Sequence, residues 1–185
     1  MRIRRPILAL LCAAGLTATA CGAPSTTGGG GAASSTPSAA PSLQPSAPPL
    51  SLSADQANKT LSFTLVASYD QTNNAFNFNG YDSGRLVISV PSGWKVTVNC
   101  QNRGPMNHSC AIVKDASAST PAFDGAASAN PLTGFSANQS GAFTFTPTTP
   151  GSYRIACLVP GHEQAGMWDT FAVGTAGVPA ATVQG

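Results

Sequence analysis

The run of residues 157–167 limits the possible folds of this chain more than any other feature. It places a thiolate, an imidazole and a thioether, at Cys157, His162 and Met167, in one short loop around a Pro-Gly pair. The chain has two histidines, and the other is His108. A thiolate, two imidazoles and a weak thioether are the donor set of a mononuclear copper site for electron transfer. We therefore expect a rigid scaffold that brings His108 to the end carrying this loop.

The loop itself suits such a site. Pro160 fixes one backbone angle and Gly161 permits an unusual one, which favours a tight turn. Pro160 also has no N–H to donate to the sulfur. Met106, two residues before His108, is a rival axial donor that could instead line the rim of the site. We predict Met167 as the axial donor.

The N-terminal residues are typical of an export signal. Three arginines precede an apolar run over residues 7–20, which is short for a membrane span. The run ends in Ala-Thr-Ala-Cys-Gly at residues 18–22, which resembles a bacterial lipobox. We predict a lipoprotein signal peptide at residues 1–20 and lipidation of Cys21. The alternative is an ordinary signal peptide cleaved nearby.

A linker rich in Ser, Pro, Gly and Ala is predicted at residues 21–56, because it has too little apolar bulk for a core. The folded domain is predicted at residues 57–175 and a C-terminal tail at 176–185.

The chain carries little charge. It has nine Lys and Arg against seven Asp and Glu, and three of the arginines lie in the signal. The remaining chain has no basic patch, so we do not expect nucleic acid as a partner. Sparse charge also favours docking through a small apolar surface over electrostatic steering.

Alternating apolar and polar residues predict an all-β domain. Gly, Pro, Asn and Asp clusters separate the segments. The predicted strands lie at residues 61–65, 86–90, 95–99, 110–113, 142–146, 153–157 and 169–173. Seven or eight short strands fit a single β-sandwich. Residues 115–141 form a long excursion that either covers part of the metal end or is a mobile surface loop, and we favour the surface loop.

Two of the five cysteines are predicted to form a disulfide. Cys12 lies in the signal, Cys21 is the predicted lipid site and Cys157 the predicted copper ligand, which leaves Cys100 and Cys110. An oxidising compartment favours a disulfide, and strand alternation points both side chains inward. The alternative is a pair of buried free thiols.

Three segments carry a family resemblance. They are Phe-Asn-Phe-Asn-Gly-Tyr-Asp-Ser-Gly at residues 76–84, the stretch 96–109 that ends in His-Ser, and residues 159–168 with Val-Pro-Gly-His and Gly-Met-Trp. The domain resembles a cupredoxin, and specifically the sulfocyanin group of blue copper proteins. The resemblance implies a Greek-key β-sandwich and one copper ion, Cu(I) or Cu(II), bound by His108, Cys157, His162 and Met167. It also implies single-electron transfer at the outer face of the membrane.

From these observations we expect a lipid-anchored, monomeric electron carrier outside the cytoplasm. Its partners would be a redox donor and a redox acceptor, with a terminal oxidase or a cytochrome complex as candidates. We expect electrons to leave through His162, and the contact patch to include Val159, Pro160 and Ala165. His108 should be more buried.

Other functions remain as alternatives. A protein that delivers copper would use the same donors but needs a labile site. A multicopper oxidase or nitrite reductase needs further histidines, which this chain does not have, so we do not expect an enzyme. Ser109 stands where many blue copper proteins have Asn, and we hypothesise that it leaves the thiolate less hydrogen-bonded and the reduction potential high.

Overall fold

The computed structural model describes residues 50–185, and these residues form nine β-strands. The strands are β1 Leu52–Asp55, β2 Thr60–Ala67, β3 Leu86–Pro91, β4 Lys95–Asn102, β5 Ala111–Val113, β6 Ser140–Phe145, β7 Gly151–Ala156, β8 Trp168–Gly174 and β9 Ala180–Val183. A short turn, Thr72–Ala75, lies between β2 and β3.

The strands form two sheets with a common core. One sheet has the order β1-β2-β4-β6 and the other β5-β7-β8-β3-β9. Both sheets are mixed, because β2 pairs with β4 and β3 with β8 in parallel while the other pairs are antiparallel. The predicted all-β sandwich is confirmed, with nine strands in place of seven or eight.

Side-chain alternation explains how the sheets pack. In β2, Leu61, Phe63 and Leu65 are buried while the residues between them are partly exposed. Buried side chains of both sheets join one core, where the rings of Phe145 and Phe171 lie 5.6 Å apart. Alternate residues of a strand point to opposite faces, so each sheet turns its apolar face to the other.

The ends of the domain differ from the prediction. Strand β1 lies inside the predicted linker of residues 21–56, and β9 lies inside the predicted tail of residues 176–185. Both are edge strands that are mostly exposed, and they pair with β2 and β3 through backbone hydrogen bonds. Because neither buries an alternating apolar face, neither has the pattern by which strands are predicted. The predicted signal peptide and Cys21 lie outside the described residues.

The predicted disulfide is confirmed. Cys100 at the end of β4 is bonded to Cys110 just before β5, with their Cα atoms 6.0 Å apart. Both side chains are buried in the core. The bond joins the two sheets next to His108, so it restrains the segment that carries this histidine.

The excursion between β5 and β6 is tied to the metal end of the domain. Backbone hydrogen bonds join Ala122 and Ala126 to Ile112, and Phe135 to His108 in both directions. We favoured a free surface loop, and the structure fits the other alternative instead. Ala, Ser and Gly in this segment let the backbone lie close along residues 108–113, and such pairing leaves no hydrophobic pattern in the sequence.

Candidate metal centre

The hairpin between β7 and β8 carries three of the predicted ligands. Cys157 directly follows β7, and Met167 directly precedes β8. Cys157 N–H donates to the carbonyl of Met167 (3.2 Å), and Met167 N–H donates to that of His162 (3.0 Å). Gly161 has a φ of 88°, a conformation that side-chain-bearing residues rarely adopt. The short loop thus folds back on itself and turns all three side chains inward.

All four predicted donor atoms meet at one point between the sheets. His108 Nδ1 lies 3.2 Å from His162 Nδ1 and 3.9 Å from Cys157 Sγ. Cys157 Sγ lies 3.4 Å from His162 Nδ1, and Met167 Sδ lies 3.1 Å from His108 Nδ1. The circle through the two nitrogens and the thiolate sulfur has a radius of about 2 Å, close to the N and S ligand distances of first-row metal ions. The residues present therefore fit a metal ion.

The site is closed to solvent. His108, Cys157 and Met167 have 0% exposure, and His162 has 9%. Burial lowers the pKa of His108 to about 4, and the neighbouring His162 lowers it further. Burial lowers the pKa of His162 as well. Burial raises the pKa of the Cys157 thiol, against hydrogen bonds from Ser109 and Val159. Near neutral pH both imidazoles thus keep lone pairs for a metal, and binding must displace the thiol proton.

Comparison with known proteins identifies the family. The sulfocyanin (SoxE) domain matches residues 47–183, which is most of the chain. The chain belongs to the sulfocyanin family. It is therefore a cupredoxin, a blue copper protein, and His108, Cys157, His162 and Met167 are the residues that would hold its one copper ion. The sulfocyanin of Sulfolobus acidocaldarius is 30% identical over 124 residues, or 60% of this chain. The match spans 62% of that relative's length.

Several solved structures resemble this member of the sulfocyanin family. Auracyanin B is 23% identical, with a TM-score of 0.46 over 68% of this chain and 96% of its own. Rusticyanin from Thiobacillus ferrooxidans is 22% identical, with a TM-score of 0.41 over 65% of this chain and 86% of its own. The multicopper oxidase mgLAC is 26% identical, with a TM-score of 0.42 over 52% of this chain. The last match covers 31% of the oxidase chain.

The Cys157 sulfur of this sulfocyanin-family chain accepts hydrogen bonds from Ser109. Ser109 N–H lies 3.3 Å from the sulfur and the Ser109 hydroxyl 3.7 Å. The hydroxyl oxygen also accepts the N–H of Leu158 at 2.9 Å, so its own proton is available to the sulfur. Ser109 thus does hydrogen-bond to the sulfur, but the hypothesis compares Ser109 with Asn at this position, so it stays a prediction. Such bonds draw charge from the sulfur, so they favour the reduced metal.

Two residues near the histidines were not predicted as part of the site. Ser68, directly after β2, has its Oγ 2.7 Å from His108 Nε2. The ring of Phe76 meets that of His162 edge-on, with ring centroids 4.9 Å apart. Phe76 lies in the segment that carried the family resemblance, which was the available signal. Ser68 gave none, because its place depends on a backbone turn with a φ of 50°.

Polar contacts hold the ligand loop against its neighbours. Glu163 is buried and accepts hydrogen bonds from Arg154 (3.0 Å) and from the backbone N–H of Ser117 (2.8 Å). The Arg154 guanidinium also lies 3.7 Å over the ring of Trp168. A separate contact comes from Asn73, whose Nδ2 donates to the carbonyl of Ala165 at 2.7 Å. The loop is thus held by contacts with separate parts of the chain.

The residues of the predicted contact patch lie with His162 in the loop between β7 and β8. Pro160 is exposed, and Val159 and Ala165 are partly buried. The rival donor Met106 is 41% exposed, while Met167 is fully buried beside the other donors. The geometry therefore supports Met167 as the axial donor.

Proposed function

We propose that this protein is a membrane-tethered blue copper protein that passes single electrons between two redox proteins outside the cytoplasm. Membership of the sulfocyanin family carries the coarser statement, that it is a blue copper electron carrier. The observation that supports single-electron transfer is a closed site. His108, Cys157, His162 and Met167 turn one donor atom each to a shared point, and His162 alone of the four has measurable exposure.

Copper, when bound, supplies a one-electron couple between Cu(I) and Cu(II). The protein's own residues hold the donors in place in both states. The hairpin hydrogen bonds fix Cys157 and Met167, and the Cys100–Cys110 disulfide restrains the segment of His108. Because the donors are held by covalent and buried contacts, little has to move when the charge changes. Burial also excludes water and any substrate from the site, which favours electron transfer over catalysis.

His162 is the proposed route for electrons. Its ring contacts that of Phe76, it is the most exposed of the four donor residues, and Pro160, two residues before it, is exposed. Val159 and Ala165 extend this surface with small apolar groups. Transient redox contacts bury little area, and few charges are needed to form them. A donor and an acceptor would then use the same surface in turn, with a terminal oxidase or a cytochrome complex as candidate partners.

The proposed tether lies in the part of the chain before residue 50. Cys21 would carry the lipid, and about 30 residues would separate it from β1, giving a typical reach of roughly 30 Å if the segment is flexible. Within residues 50–185, no helix has the length and apolar character needed to cross a membrane. A tether of this kind would let the domain move between partners at the outer face of the membrane.

The first test is spectroscopic. The Cu(II)-loaded protein should show an intense thiolate-to-copper absorption band and a narrow copper hyperfine splitting by EPR. Both should vanish in Cys157→Ser, while Met106→Leu, at the exposed rival methionine, should keep both. A pale protein with an ordinary tetragonal copper signal would contradict the proposal.

A second test separates electron transfer from copper delivery. A carrier should lose Cu(I) slowly to an excess of a soluble chelator, because the thiolate and three further donors are enclosed. Rapid and complete loss would favour copper delivery instead.

A third test concerns the tether. The wild-type protein should sediment with membranes, and the Cys21→Ser variant should be released from them. Membrane association that survives this substitution would argue against the lipid anchor.

A further inference from the structure

We infer that Ser68 is a positioning residue that holds the His108 imidazole in the one tautomer able to bind a metal. Ser68 Oγ lies 2.7 Å from His108 Nε2 and donates its proton to the carbonyl of Ala75 at 2.8 Å. A hydroxyl has one proton, and a carbonyl can only accept. The oxygen of Ser68 must therefore accept the N–H of His108 Nε2. The lone pair of His108 is then on Nδ1, the atom that faces Cys157 and Met167.

The backbone around Ser68 is shaped for this contact. Ser68 has a φ of 50°, in the left-handed region, and its N–H donates to the carbonyl of Asn77 at 3.0 Å. A Cβ atom at Gly104 would lie 2.5 Å from Ser68 Oγ and 3.3 Å from His108 Nε2. A larger residue than glycine at position 104 would therefore push the hydroxyl and the imidazole apart. The contact thus brings Ser68 against Gly104 and His108, which are distant from it in sequence.

The Ala75 carbonyl, which accepts the hydrogen bond from the Ser68 hydroxyl, is itself held in place. Ala75 ends a turn in which Asn73, Asn74 and Ala75 all have positive φ. The side chain of Asn73 anchors this turn by donating to the carbonyls of Phe76 and Ala165. Ala165 lies in the loop that carries His162 and Met167. A series of hydrogen bonds thus connects the ligand loop, through this turn and Ser68, to His108 between β4 and β5.

The expected effect on metal binding follows from this arrangement. An acceptor on the far nitrogen orients a ligating imidazole and raises its basicity, and removing such a partner typically costs 10–100-fold in metal affinity. This inference concerns the metal site of the proposed function. Its first readout uses the metal-free protein, so the two ideas can fail separately.

Two variants remove the hydroxyl in different ways. Ser68→Gly suits the positive φ and keeps the backbone, whereas Ser68→Ala keeps a methyl group that prevents water from filling the gap. Ser117→Gly is the matched control. Ser117 also has a positive φ, of 64°, and within residues 50–185 its hydroxyl makes no hydrogen bond. The control loses the same group from the same kind of backbone, and its N–H to Glu163 is retained.

The first readout is the histidine tautomer. With two histidines in the chain, two-bond ¹⁵N–¹H NMR of the ¹⁵N-histidine-labelled, metal-free protein resolves each ring. In the wild type, His108 should carry its proton on Nε2, and that proton should exchange slowly with solvent. In Ser68→Ala the loss of this hydrogen bond should make exchange about tenfold faster. The Ser117→Gly control should match the wild type.

The second readout is affinity for Zn(II), measured by competition with a chelator. We expect Ser68→Ala to bind about 10–100-fold more weakly than the wild type and the control. If Ser68→Gly keeps wild-type values while Ser68→Ala loses them, a water molecule has replaced the hydroxyl, and the need for an acceptor at this point is supported.

A His108 proton on Nδ1 in the wild type, or wild-type exchange and affinity in Ser68→Ala, would overturn the inference. In either case a blue copper spectrum would leave the proposed function intact.

Discussion

Asp169, near the start of β8, should make this protein less stable as the pH rises. Its side chain has 0% exposure. Burial raises the pKa of this carboxyl from 3.8 to about 8, and the nearby Asp82 adds to the increase. A hydrogen bond from Leu86 N–H (2.9 Å) acts in the opposite direction and lowers the pKa. Within the described residues its Oδ2 is a buried oxygen without a hydrogen-bond partner. The folded protein therefore keeps this carboxyl protonated over a pH range in which the unfolded chain ionises it.

The sign and size follow from that difference. A carboxyl whose pKa is higher in the folded state contributes most below pH 4, and this contribution falls as the pH rises towards 8. The loss is about 1.4 kcal/mol per pH unit, or about 4 kcal/mol between pH 4 and pH 7. Asp169→Asn should be free of this dependence, because an amide does not ionise and its oxygen can still accept the N–H of Leu86.

The assay is urea unfolding of the metal-free wild type and Asp169→Asn at several values between pH 4 and pH 8, with Asp124→Asn as an exposed control. The difference in free energy of unfolding should move in favour of the asparagine variant by about 1.4 kcal/mol per pH unit. His108 and His162 titrate in both proteins and cancel in the difference. A buried NH₂ group adds a constant offset of about 1–3 kcal/mol against the variant. A difference that does not change with pH would refute the reasoning.

Two further predictions concern the contacts around the ligands. Replacing both Cys100 and Cys110 by Ala should lower the free energy of unfolding by about 3 kcal/mol, because the disulfide closes a loop of sequence separation 10. Urea unfolding measures this change, and a loss below about 1 kcal/mol would contradict the reasoning. Ser109→Ala should lower the reduction potential by about 40 mV, the equivalent of one hydrogen bond of about 1 kcal/mol to the thiolate. Redox titration measures it, and a potential that rises would reverse our assignment of the Ser109 contacts.

The parts of this fold that could be predicted are those where one residue pattern has one structural meaning. Alternation in residues 61–65 indicated a strand buried on one face, and the structure has it as β2. The donor set was predictable because the chain has just two histidines and a single short Cys–His–Met loop. The disulfide followed from the remaining cysteines and the same alternation.

Other features depend on tertiary contacts that leave no local pattern. β1 and β9 are stabilised by pairing at sheet edges, where exposed residues of many kinds are allowed. Residues 115–141 follow the chain near His108 through backbone hydrogen bonds that any sequence of small residues can form. The part played by Ser68 requires a positive φ and the nearby Gly104, which come together only in the folded chain.

The burial of Cys157 also affects how easily its thiol is oxidised before copper binds. Oxidants and disulfides react with thiolates, and burial raises the pKa of this thiol while blocking access to it. The other two cysteines of the described domain are already bonded to each other. A molecule that folds before it meets copper is therefore expected to keep this thiol reduced, so that it can still bind the metal later.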